Sequence, residues 1–88
     1  MTEPIAPTGT EEVMAAIVSI ARDELGIRVE IGPGSDLLRD LSLDSISLMT
    51  LVVALEDRFL VILSEEDAAE VRTAGELATL VDARRRAA

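Results

Sequence analysis

The sequence predicts an all-α fold, a small four-helix bundle with a short third helix and a long loop between the first and second. Three observations carry this expectation. Apolar residues recur at helical spacing in two long segments. A hydroxyl residue followed three positions later by an acid marks two further helix starts. No stretch alternates apolar and polar residues long enough to make a sheet.

Thr10, followed by Glu11 and Glu12, opens the first helix with a capping hydroxyl and two acids at the positive end of the dipole. Val13, Ala16, Ile17, Ile20 and Ala21 continue it at helical spacing, and Gly26 after Leu25 stops it, which bounds the helix at residues 10–25. Gly32, Pro33 and Gly34 then break any regular element, so residues 27–44 read as a long loop. Leu37, Leu38, Leu41 and Leu43 are too apolar to hang in water, and the loop is expected to lie on the core with one short turn starting at Ser35 or Asp36. A loop this long in so small a domain is usually functional.

Residues 45–59 have no Gly or Pro and form the most apolar segment, a second helix. Ser64 with Asp67, then Thr73 with Glu76, repeat the capping pattern and predict a short helix at about residues 64–71 and a last one carrying Leu77, Leu80 and Val81. Residues 60–63 are an apolar link. Residues 1–9 read as a flexible N-terminal tail, residues 10–82 as the domain, and residues 83–88 as a basic tail in which Arg84, Arg85 and Arg86 form a solvated end.

The 88 residues include 17 acids against eight basic residues, all arginine, for a net charge of −9, and no cysteine, histidine, tryptophan or tyrosine. Nucleophilic triads built on Cys or His and zinc sites of thiolate or imidazole are therefore unavailable, as is a disulfide framework. An acidic body repels phosphate backbones and anionic lipid and attracts basic protein surfaces, so the expected partner is a protein, with no nucleic acid and no membrane. The N-terminus lacks the pattern of a signal peptide and apolar runs stop well short of a membrane span, so a soluble chain is expected; the absence of cysteine suits a reducing cytoplasm, and a monomer is the expected state.

The second helix has more apolar faces than folding needs. Leu48, Leu51, Val52, Leu55 and Phe59 form one face that fills a small core. Ile46, Met49 and Val53 form a second stripe turned partly away. Either the long loop or the short helix covers that stripe, or it is a docking face flanked by Asp44, Glu56 and Asp57 for a basic partner. Asp44 and Ser45 sit where the long loop meets the helix N-terminus. Their ordinary role is to cap it, but free N–H groups and the dipole there also suit a phosphate ester on a modified serine.

The segment of residues 43–59, LDSISLMTLVVALEDRF, resembles the phosphopantetheine attachment region of acyl carrier proteins. Asp44, Ser45 and Ile46 match the family's Asp-Ser-aliphatic pattern. Glu56, Asp57 and Phe59 match its acidic-aromatic helix end, and Ile62, Ser64, Glu65 and Glu66 resemble its lead into the third helix. The likeness covers residues 10–82. It implies a carrier that catalyses nothing itself, with Ser45 joined to the 4′-phosphopantetheine of coenzyme A by a separate phosphopantetheinyl transferase, and with acyl groups held as thioesters on the arm. It further implies that Asp44 presents Ser45 and that Ile46, Met49 and Val53 dock partners such as a ketosynthase, acyltransferase or acyl ligase. Leu51, Val52, Leu55 and Phe59 either line an acyl cleft or are ordinary core.

Departures from the family bear on the pathway: Ser47 and Thr50 stand where acids are frequent, Arg58 reverses a sign and Leu60 replaces a polar residue. These favour a discrete bacterial carrier of polyketide or related specialised lipid biosynthesis over the general fatty acid carrier. A peptidyl or aminoacyl carrier is the nearest alternative: Ser42, Leu43 and Asp44 replace the Gly-Gly lead common in peptidyl carriers, which counts against that type, while aminoacyl loading by a stand-alone ligase stays open. Two rival classes are a carrier-like interaction module that is never modified, and a hydrolase using Glu65, Glu66 and Asp67. Adjacent acids at a helix start more often complement the dipole than catalyse.

Overall fold

A computed structural model describes residues 9–87, which contain four helices: α1 (Gly9–Asp23), α2 (Ser45–Phe59), α3 (Glu65–Glu70) and α4 (Ala74–Ala87). The residues before Gly9, where the N-terminal tail is expected, lie outside the described ones, as does Ala88. Among the described residues the extended pairing is one isolated antiparallel bridge, Asp36 with Thr73.

The helix ends follow local chemistry. Gly26, at φ +68°, lets the Ile27 N–H reach back to the Ala21 carbonyl at 2.9 Å, a left-handed stop that ends α1 two residues before the expected limit. Ser64 and Asp67 form a reciprocal capping box on α3. Thr73 accepts from the Glu76 N–H at 3.1 Å, while the Glu76 carboxylate accepts from the Arg72 and Thr73 N–H groups at 2.8 and 3.0 Å. The α2 end is costlier, because Leu60 adopts φ 56°, ψ 48°, where its Cβ crowds the following carbonyl.

The core is aliphatic. Val13, Ile17 and Ile20 of α1, Leu51, Val52 and Leu55 of α2, and Leu77, Ala78 and Val81 of α4 are all buried, and α1 packs most extensively on α4. Leu48 and Phe59 are half-buried against this cluster.

The long loop lies on the core as expected, carried there by Ile31, Leu37, Leu41 and Leu43. Three backbone bonds pin it to the start of α4: Gly75 N–H to the Pro33 carbonyl (2.8 Å), Ala74 N–H to Ser35 (2.9 Å) and Leu37 N–H to Arg72 (2.8 Å). A Cβ at Gly75 would stand 2.7 Å from the Pro33 carbonyl oxygen, so this close approach requires glycine. The turn begins at Asp36, whose carboxylate accepts from the Leu38 and Arg39 N–H groups. Leu38 departs from expectation and is exposed: in so tight a turn it faces water while its neighbour Leu37 faces the core.

The C-terminal arginines also depart from the reading as a solvated tail, since α4 continues through them to Ala87. Arg84 pairs with Asp67 of α3 at 2.6 Å. Arg85 pairs with Glu12 of α1 and with Asp82, and its guanidinium lies 5.0 Å from the Phe59 ring centroid. Arg86 pairs with Asp82 at 2.9 Å. Asp82, almost buried, is thus held charged between two arginines, which keep its carboxyl below the ordinary carboxylate range.

Leu60→Gly should stabilise the domain by about 1 kcal/mol after the larger entropy of unfolded glycine is subtracted, because the strained, exposed side chain is removed without loss of core. Urea unfolding would show it, and an unchanged or lower midpoint would refute the strain argument. Asp82→Asn should lower the melting temperature at pH 7. A carboxyl with a depressed native pKa stabilises above its unfolded pKa and loses that contribution as pH falls, so the deficit of the variant should shrink below about pH 4. Thermal melts of both proteins at pH 7 and pH 3 make the comparison.

Candidate functional site

The chain reaches α2 from a buried anchor. Leu43 is buried and its N–H donates to the Leu37 carbonyl at 3.1 Å, while the preceding Ser42 turns the backbone through φ 57°. Asp44 is then extended, at φ −92° and ψ −179°, and its Oδ1 accepts from the Ser47 N–H at 2.7 Å. This bond, with a further one from the Ser47 side chain, holds the Asp44 carboxyl below its ordinary range, so it is charged at neutral pH. Ser45 follows as the first residue of α2, and it is exposed.

The electrostatics of that position differ from those of the other helix starts. Glu11 and Glu12 occupy the first turn of α1, Glu65, Glu66 and Asp67 that of α3, and Glu76 that of α4, whereas the first turn of α2 holds no acid. Its positive dipole end is neutralised only by Asp44, whose carboxylate is turned onto Ser47. A phosphodiester on the Ser45 hydroxyl meets a favourable dipole there and no carboxylate within the helix turn that carries it. The residues present therefore fit a phosphopantetheine group at this serine.

Along α2 the two apolar faces separate. Leu51, Val52 and Leu55 are closed into the core, with Phe59 half-buried beneath Arg85. Ile46, Met49 and Val53 are 77%, 44% and 47% exposed, so neither the loop nor α3 covers the second stripe. With Ser45, Thr50, Ala54, Asp57, Arg58 and Glu24, which lies just past α1, they line an open surface groove. Asp57 is exposed, whereas Glu56 is half-buried and its carboxylate accepts from the Leu63 N–H at 2.8 Å, holding the link between α2 and α3. A second groove, between α1 and α4, contains none of the α2 residues.

Sequence reasoning missed three features. Thr50 and Ala54 follow Ile46 by four and eight residues, so helical spacing could have placed them beside the stripe. Glu24 reaches the groove only through the tertiary fold and left no local signal. Leu60 and Ile62 are each 86% exposed while Val61 and Leu63 are buried, so the apolar link alternates like a strand and presents two large side chains to water. Among the described residues no group of three carboxylate, histidine or cysteine side chains is arranged to hold a metal, and no helix is long and apolar enough to cross a membrane.

Comparison with known proteins identifies the family. Residues 15–81 match the family model described as the phosphopantetheine attachment site. The chain is 34% identical over 73 residues to the acyl carrier protein of Micrococcus luteus, covering 82% of this chain and 90% of that one. It is 36% identical over 72 residues to the meromycolate extension acyl carrier protein of Mycobacterium leprae, covering 81% of this chain and 63% of that longer one. Its fold superposes on the crystal structure of the acyl carrier protein of Thermotoga maritima with a TM-score of 0.81 at 23% identity, covering 91% and 94% of the two chains. For the acyl carrier protein of Enterococcus faecalis the TM-score is 0.72 at 29% identity, with 88% and 99% covered. The chain belongs to the acyl carrier protein family, whose members are carriers and not enzymes and hold acyl groups on 4′-phosphopantetheine.

Proposed function

We propose that Ser45 is the residue that bears the phosphopantetheine arm, and that this chain serves as a discrete bacterial, cytoplasmic carrier in polyketide or related specialised lipid biosynthesis. The observation that carries the first part is the exposed Ser45 at the acid-free start of α2, in a chain of this family. The transferase, assisted by magnesium, supplies the catalysis. The Ser45 oxygen forms a bond to the phosphorus on the pantetheine side of coenzyme A, the bond to the adenosine side breaks, 3′,5′-bisphosphoadenosine leaves, and the serine proton passes to the transferase. Asp44 fixes the first turn of α2 and so the direction of the Ser45 hydroxyl. The arm, once attached, supplies the thiol that a chain without cysteine lacks, and acyl groups ride on it as thioesters.

Partners dock on the outer face of α2. Ile46, Met49 and Val53 offer apolar contact, with Met49 adaptable in shape, while Asp44 and Asp57 steer a basic surface towards it. Glu56 contributes less to that field, because its carboxylate is engaged with Leu63. The pathway assignment rests on how this surface departs from an acid-rich one: exposed Thr50 and Arg58 thin and reverse its charge, and Leu60 and Ile62 extend its apolar area past the helix.

Incubation with coenzyme A, magnesium and a broad-specificity phosphopantetheinyl transferase should add one phosphopantetheine to the intact mass. The gain should map to the Ser45 peptide and be absent from Ser45→Ala at unchanged helicity. No gain in the wild type would sink the carrier reading of this serine. With the loaded protein, Met49→Glu should slow transfer by a cognate ketosynthase or acyltransferase about tenfold, and equal rates would remove the docking claim.

A further inference from the structure

The groove between α1 and α4 has no part in the site described above, because none of its lining residues belongs to α2. Its α1 residues run from Thr10 to Val18, about 12 Å along the helix axis, which matches about two turns of a second helix laid against it. Met14, Val18, Val71 and Leu80 line it and are half-buried, so each packs partly on the core and leaves the rest of its side chain open. Ala15 and Ala83, both exposed, are too short to bar an approaching helix. Such a groove suits the apolar face of a helix whose anchors stand three or four residues apart.

Charge selects the kind of helix. The lining holds four carboxylates, Glu11, Asp67, Glu70 and Glu76, and no basic side chain, whereas the α2 groove has Glu24 and Asp57 beside Arg58. Asp67 is engaged with Arg84, and Glu76 with the Arg72 and Thr73 N–H groups. These bonds hold both carboxyls below the ordinary range, so they stay charged at neutral pH. Of the two grooves this one therefore has the larger acid excess. A second copy of the chain, at a net charge of −9, brings like charge to it, while a helix rich in lysine or arginine is attracted.

We infer that the groove between α1 and α4 is a second docking surface, and that its occupant is a basic amphipathic helix of a partner protein. The two grooves share no lining residue, so a short helix seated in this one covers neither Ser45 nor Ile46, Met49 and Val53. A partner held there leaves the start of α2 open to a transferase or a biosynthetic enzyme. That consequence, unlike the groove itself, rests on Ser45 being the attachment residue. A carrier anchored by one face and served at another need not be released between successive enzymes.

The test titrates a synthetic peptide of about 14 residues, with leucines on one helical face and lysines on the other, into the isotope-labelled full chain and follows its amide NMR spectrum. The amides of Met14, Val18, Val71 and Leu80 should shift and saturate together, those of Ile46, Met49 and Val53 should stay in place, and affinity should fall as salt rises. Ala15→Arg, at an exposed helix position, puts a cation in the groove and should weaken binding about tenfold, while Met49→Gln should leave it unchanged. With the peptide saturating, a phosphopantetheinyl transferase should load the chain at the rate seen without it. Shifts on α2 instead, shifts spread over the acidic surface, equal affinity for Ala15→Arg or loading blocked by the peptide would overturn the inference. So would two results in the free protein: contacts of the Ile5 methyls with those of Val18 or Leu80, which give the groove to this chain's own first residues, or groove shifts on raising the protein concentration, which give it to a second copy. A chain that takes up no phosphopantetheine with or without the peptide fails the Ser45 reading instead, and the binding titration still decides the groove.

Discussion

The burial of Leu51, Val52 and Leu55 sets the rotation of α2 about its own axis, and what the surface offers depends on it. Successive side chains on a helix are about 100° apart. Once those three face the core, Ile46, Met49 and Val53 point away from it, and the loop, held to the start of α4, leaves them open to water. The other arrangements serve this placement. The loop leucines close the core from one side, the three backbone bonds hold that loop to the start of α4, and Leu43 fixes where the chain enters α2. In a chain with a single aromatic residue and no disulfide, aliphatic packing has to supply nearly all of the stabilisation.

Charge is distributed with the same selectivity. The acids at the starts of α1, α3 and α4 complement three dipoles, and Glu12, Asp67 and Glu76 among them also take part in caps or ion pairs, so part of the net charge of −9 is structural. The start of α2 is left bare of acid in its first turn, and Asp44 is committed to the Ser47 N–H. In an acidic chain, this is the helix end whose positive dipole meets no first-turn acid.

Sequence legibility followed the range of the interactions. The helix starts at Ser64 and Thr73 and the cap at Asp44 were readable because each is closed within four residues. The left-handed stop at Gly26 was readable for the same reason. The Arg85 contact with Glu12 spans 73 positions and the Arg84 contact with Asp67 spans 17, and no local pattern announces either, so the sequence alone reads as a tail what the fold makes a helical, engaged end. At the site, periodicity put Ile46, Met49 and Val53 on one face, but it cannot say what lies over a face. That answer came from the path of the long loop, which is pinned elsewhere.

The α2–α3 link has a consequence for motion. Within α3 only Ala68 is buried, and the helix is held by its own capping box, by Arg84 on Asp67 and by the Glu56 carboxylate on the Leu63 N–H. Its six residues are too few to be helical alone. Opening it would break these polar contacts and uncover Ala68 while leaving the α1 contacts with α2 and α4 in place, so α3 is the element expected to exchange its amide protons by local opening. The molecule thus keeps two clocks, a fast one set by a short segment after α2 and a slow one set by the aliphatic core.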